Sequence, residues 1–194
     1  PALDLTQNAN LFNLTGGDNV ISGHFPTTGI YDLQYNPIVN MITLQNNQIT
    51  SIELYDPTIP TSNAINNGNV FNPVLNFLNL RNNLLTYIDF SKSPNLQTLN
   101  LSENQIPSID FSGNSYLNKL ELMGTQITTV DLSPTDISKL WIGNNPNMTC
   151  LDLHTEQYVS WLYMTDSHVS CLRLDNGNNT NIDRLQIFPP GASS

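Results

Sequence analysis

The sequence predicts a solenoid, mostly β, whose short parallel strands stack into sheets with about 21 residues per coil and few or no helices. Three observations carry that expectation. Aligned at Leu75, Leu96, Leu117, Ile137 and Val159, the chain repeats in steps of 21, 21, 20 and 22 residues. Within each unit apolar residues return three and five positions on, at Leu78/Leu80, Leu99/Leu101, Leu120/Leu122, Leu140/Ile142 and Leu162/Met164. A second apolar pair follows at Ile88/Phe90, Ile109/Phe111, Val130/Leu132, Leu151/Leu153 and Leu172/Leu174, and between the pairs sits Asn83, Asn104, Thr125, Asn145 or Ser167. Such a unit cannot bury its apolar face alone, so neighbouring coils must stack.

Taken in order, residues 1–194 read as one domain with an atypical opening. Residues 1–38 form a degenerate N-terminal coil or cap: Leu3-Asp4-Leu5-Thr6 echoes Ile88-Asp89-Phe90-Ser91, and Gly16-Gly17-Asp18-Asn19 interrupts the pattern. Regular coils run over 39–174, starting with Val39, Ile42, Leu44, Asn47, Ile49, Ile52 and Leu54. An insertion at 55–74 delays the next unit, and it reads either as a packed excursion or as a tolerated surface loop. Residues 175–194 form a C-terminal cap and tail, in which Ile182, Leu185 and Ile187 repeat the opening spacing before Pro189-Pro190 stops it. Positions three and five of a unit point inward from one strand, so positions two and four point out. The second apolar pair predicts a second sheet on another side. Pro107, Pro134 and Pro146 interrupt the helix candidates.

The bulk composition narrows the function. Net charge is −10 with only six Lys and Arg, which argues against nucleic acid or an anionic membrane as partner. Charged residues make up 11% of the chain and Asn is its commonest residue, so the surface is polar but largely uncharged. No apolar run approaches the ~20 residues of a membrane helix, and no basic-then-apolar segment opens the chain. Part of an exported protein and a virion protein assembled in a cytoplasm both fit. His24, His154 and His168 fall at unrelated repeat positions, and no nucleophile, base and orienting group share a register. We read no enzyme and no cofactor.

The pattern Leu96-x-x-Leu99-x-Leu101-x-x-Asn104-x-Ile106-x-x-Ile109 and its copies resembles the leucine-rich repeat family. Copies ending in Ile-Asp-Phe-Ser or Val-Asp-Leu-Ser look like the helix-poor, internalin-like type of bacteria and phages. The resemblance implies a non-catalytic recognition scaffold with its binding surface on the sheet of the first strand. Thr125 and Ser167 depart from the Asn of the pattern, and cysteine-rich caps are missing.

The outward positions of that strand hold the candidate site. Position two carries Met41, Phe77, Thr98, Lys119, Lys139 and Trp161; position four carries Thr43, Asn79, Asn100, Glu121, Trp141 and Tyr163. Core demand does not explain Trp141, Trp161 and Tyr163, because the inward slots are already filled. They form either a contact surface, with Lys119, Lys139, Glu121 and Phe77 beside them, or a cross-strand stack that stabilises the coil.

Asp89, Asp110, Asp131 and Asp152 form an outward ladder on the second side. Calcium is one reading, and hydrogen bonding to turn hydroxyls such as Ser91, Ser112 and Ser133 with solvent screening is the other. Arg173 continues the column toward Asp152. Cys150 and Cys171 share one repeat position in successive coils, where parallel strands bring residues about 4.8 Å apart. That spacing permits a disulfide and equally accommodates two free thiols. Asn13, Asn100, Asn147 and Asn178 sit in Asn-x-Ser/Thr acceptors, which chance supplies in so Asn-rich a chain.

The sequence thus points to recognition or adhesion at a cell or virion surface, binding a protein or surface glycan. The alternative is a structural virion or envelope component whose aromatic patch and insertion meet other subunits of an assembly.

Overall fold

Successive coils each contribute a three- or four-residue strand to one main sheet, and in all but the last of these strands the second residue is buried. The computed structural model describes residues 12–19, 21–25, 39–52, 74–91, 93–154, 156, 158–165, 169–174 and 182–188. The strands are β1 (Asn13–Thr15), β2 (Ser22–Phe25), β3 (Met41–Thr43), β4 (Gln48–Ile52), β5 (Phe77–Asn79) and β6 (Thr98–Asn100), followed by β7 (Lys119–Glu121), β8 (Lys139–Trp141), β9 (Cys150–Asp152), β10 (Trp161–Met164), β11 (Cys171–Arg173) and β12 (Arg184–Ile187). No helix occurs among the described residues. The main sheet runs β1-β3-β5-β6-β7-β8-β10-β12, parallel throughout. The register keeps like positions together, so Leu14, Ile42, Leu78, Leu99, Leu120, Leu140, Leu162 and Leu185 form one row.

The chain leaves β3, β5, β6, β7 and β8 through a left-handed residue: Asn46 (φ 56°), Asn82 (53°), Glu103 (58°), Gly124 (65°) and Asn144 (54°). Asn and Gly tolerate that region best. The next residue belongs to the buried polar ladder of Asn47, Asn83, Asn104, Thr125 and Asn145. Asn104 shows its work. Its amide donates to the carbonyls of Leu101 in its own coil (3.0 Å) and Leu80 in the preceding one (2.9 Å), while its oxygen accepts from the Leu85 N–H (3.0 Å). Asn83 does the same with Leu80, Leu44 and Ile49. Backbone groups stranded where the strand ends are thereby satisfied across two coils.

The expected second sheet is only partly laddered. Among the described residues it pairs as β9 with β11 and β2 with β4. The intervening apolar pairs are buried or half-buried in the core, and Phe90 packs on Phe111 with ring centroids 5.6 Å apart. Their backbone, however, closes turns within its own coil. The carbonyls of Phe90, Phe111 and Leu132 accept from Ser93, Asn114 and Thr135 at 2.9, 3.0 and 2.8 Å. The N–H groups of Ser91, Ser112 and Ser133 donate to Asp89, Asp110 and Asp131 at 2.9, 2.8 and 3.0 Å.

The insertion assigned to 55–74 lies outside the described residues except for Val74, as does Ser167 of the polar ladder. Of the segment 1–38, the described parts include β1, which pairs with β3 at one end of the main sheet. Of 175–194 they include β12, which closes the other end; there Leu185 and Ile187 are each 47% exposed.

Candidate binding face

Parallel in-register strands bring equivalent side chains to about 4.8 Å from one another, so large outward residues must stack across strands. On the outer face of the main sheet, Lys119, Lys139, Trp161 and Arg184 form one column, and Glu121, Trp141, Tyr163 and Gln186 form the next. Trp141, Trp161 and Tyr163 are half-buried. The two indoles meet edge to face, with centroids 6.3 Å apart at 62°. Lys119 Nζ lies 4.9 Å from the centre of the Trp141 ring. Trp161 receives a cation from each neighbouring strand, Lys139 Nζ at 5.1 Å and the Arg184 guanidinium carbon at 4.5 Å. Tyr163 leans on Phe188 at 6.1 Å. Glu121 pairs with Lys119 at 2.7 Å and accepts from the Asn100 amide at 2.7 Å.

The structure therefore places Lys119, Glu121, Lys139, Trp141, Trp161 and Tyr163 in one connected group. Phe77 stands apart on β5, three strand spacings or about 14 Å from β8. Sequence reasoning missed Arg184, Gln186 and Phe188. The signal existed: the spacing of Ile182, Leu185 and Ile187 assigns 184 and 186 to positions two and four. With Trp141, Trp161, Leu162 and Tyr163, Arg184 and Gln186 line a shallow depression of about 240 Å³. Its floor is the buried Leu162.

On the second side, Cys150 and Cys171 are joined by a disulfide across β9 and β11, with Cα atoms 4.4 Å apart. Asp152 in the same strand pairs with His154 Nδ1 at 2.6 Å and Arg173 at 3.1 Å. The Asp ladder caps its own turns. The Ser112 N–H and hydroxyl hold the Asp110 carboxyl below its ordinary range. The Ser133 hydroxyl and N–H do the same for Asp131, and His154 with Arg173 for Asp152. Among the described residues no three His, Cys, Asp or Glu side chains converge as a metal site would require. A depression of about 310 Å³ lies here, lined by Tyr87, Ile88, Asp89, Ser91, Ser108, Ile109 and Asp110.

Together these features define a parallel-β solenoid, helix-free over its described residues, with an outward face of aromatic and basic side chains. Solved structures share the fold. The functional domain of InlJ from Listeria monocytogenes, which includes a cysteine ladder, matches with a TM-score of 0.66 and 22% identity. That match covers 94% of this chain and 40% of the other. An internalin, InlF, from L. monocytogenes strain 4b F2365 matches with a TM-score of 0.61 and 20% identity over 98% of this chain and 58% of that one. The chain thus spans less than two thirds of either structure, and at these identities the likeness concerns the fold. No protein-family model matches the chain, and no curated protein does. Among the described residues no helix is long and apolar enough to cross a membrane.

Proposed function

We propose that this chain is a non-catalytic recognition module working at a cell or virion surface, where it holds a protein or surface glycan against the outer face of its main sheet. One observation carries the reading: Trp141, Trp161 and Tyr163 stand together on that face although the core behind them is complete. Half-buried Trp and Tyr side chains grouped with an Arg on an outer face are of the kinds that dominate binding surfaces. The Cys150–Cys171 bridge suits an oxidising, extracellular setting. The fold shared with internalin structures accords with it.

A second reading, a structural component of a virion or envelope, draws on the exposed Leu185 and Ile187 of β12, which would suit packing against another subunit. Titrating the fluorescently labelled protein onto a panel of intact bacterial and animal cells separates the two. The recognition reading expects saturable binding to at least one cell type by the monomer, weakened about thirtyfold by Trp141→Ala, the equivalent of ~2 kcal/mol. No saturable binding, with the protein found only in assemblies that bury this face, would establish the structural reading instead.

A further inference from the structure

We infer that the depression beside Trp161 seats an acidic sugar, with its carboxylate on Arg184. The inference rests on the proposed recognition role and narrows its ligand. The chain carries a net charge of −10 and only six Lys and Arg, yet Lys119, Lys139 and Arg184 share one column of one face. Lys119 is neutralised by Glu121. Among the described residues no carboxylate pairs with Lys139 or Arg184, whose charged ends instead lie over Trp161.

The lining has the same sign. It contains no acid, and its indole N–H groups and guanidinium are donors only, while Gln186 and Tyr163 both donate and accept. Such a lining complements a ligand rich in acceptor oxygens. The planar guanidinium matches a carboxylate through two parallel hydrogen bonds. Because cations already lie over Trp161, a neutral sugar stacking on that indole would have to displace Arg184 or Lys139, whereas a carboxylate would add to the arrangement. At about 240 Å³ the depression is smaller than the ~300–1,000 Å³ of drug-sized pockets, which suits one sugar ring better than a folded peptide segment.

Both tryptophans of the chain line the depression, so intrinsic fluorescence reports its occupancy. The intact chain is titrated with sialyllactose and trigalacturonate, against lactose as the neutral counterpart and hexaglutamate as the acidic peptide, with calorimetry in parallel. The inference expects saturable binding of at least one acidic sugar. That affinity should fall about tenfold or more in Arg184→Ala, fall in Lys139→Ala, and weaken with added salt. Both variants are checked for native circular dichroism. The inference is overturned if lactose or hexaglutamate binds as well as the acidic sugars, or if neither acidic sugar binds. Cell binding that depends on Tyr163 and not on Arg184 would overturn it while leaving the proposed function standing. Cell binding independent of Tyr163 and Trp141 would instead count against the binding face itself.

Discussion

Replacing Asn104 with alanine tests the polar ladder that lets the coils stack. Asn104 is 3% exposed, and its side chain joins two coils through Leu101, Leu80 and Leu85. The Leu80 carbonyl keeps a second donor in the Asn83 amide at 3.0 Å. The Leu85 N–H and Leu101 carbonyl have no such substitute in the ladder. Two buried backbone groups left unpaired cost about 1–3 kcal/mol each. The expected loss is therefore ~4 kcal/mol, a large share of the ~5–15 kcal/mol that stabilises a typical domain. Asn104→Thr, which copies the residue found at Thr125, should cost less because a hydroxyl retains both a donor and an acceptor. Gln105→Ala, at an exposed neighbouring position, should stay within about 0.5 kcal/mol. Urea unfolding followed by far-ultraviolet circular dichroism measures all three. A loss below ~1 kcal/mol in Asn104→Ala would refute the ladder as the device that satisfies the turns.

Three further outcomes follow from the structure. Reducing the Cys150–Cys171 bridge, which spans 21 residues, should lower stability by about 3 kcal/mol; two reactive thiols in the unfolded, unreduced chain would contradict the bridge. A Cβ on Gly143 would drive into the backbone N and O of Thr165, so Gly143→Ala should cost ~3 kcal/mol in the same unfolding assay. Gly124→Asn should be mild by comparison, because Asn already holds that left-handed position at Asn82 and Asn144; equal costs would be evidence against the close approach. Acid should weaken the fold through the Asp ladder. Asp110, Asp131 and Asp152 have folded pKa values depressed from 3.8, so their contribution is present above the unfolded value and is lost as pH falls through the folded ones. The unfolding midpoint should drop as the pH falls through and below the ordinary carboxylate range, and less steeply in Asp110→Asn.

Much of the fold was legible because the repeat states the same physics many times. Leu78, Leu99, Leu120, Leu140 and Leu162 return at one phase, and a slip of one residue in any coil would turn its apolar side chains outward. Ile88/Phe90 and its copies were legible as inward-pointing but not as turn-forming. Side-chain period shows which face a residue takes and not where its backbone hydrogen bonds go. The clue was local and only half legible: the Asp column points to the turn hydroxyls of Ser91, Ser112 and Ser133, and the structure adds that each carboxylate accepts from the backbone N–H two residues on, closing an Asx turn. The aromatic members of the candidate face are legible from their outward repeat positions, while Arg184 and Gln186 fall within a coil that reads as a cap. That cations lie over the rings depends on rotamers, which spacing leaves open.

If the outer face of the main sheet does the binding, as proposed, two tyrosines should differ in their effect. Tyr163 stands on that face at half-burial, and Tyr158, 59% exposed, precedes β10 outside the strands of the sheet. Tyr163→Ala and Tyr158→Ala remove the same side chain, one from the outer face of the sheet and one from the segment before β10. In titrations of labelled protein onto the cells that bind it, Tyr163→Ala should weaken binding by about tenfold or more, and Tyr158→Ala by less than about twofold. Equal effects, or a larger loss from Tyr158→Ala, would place the binding surface elsewhere on the solenoid.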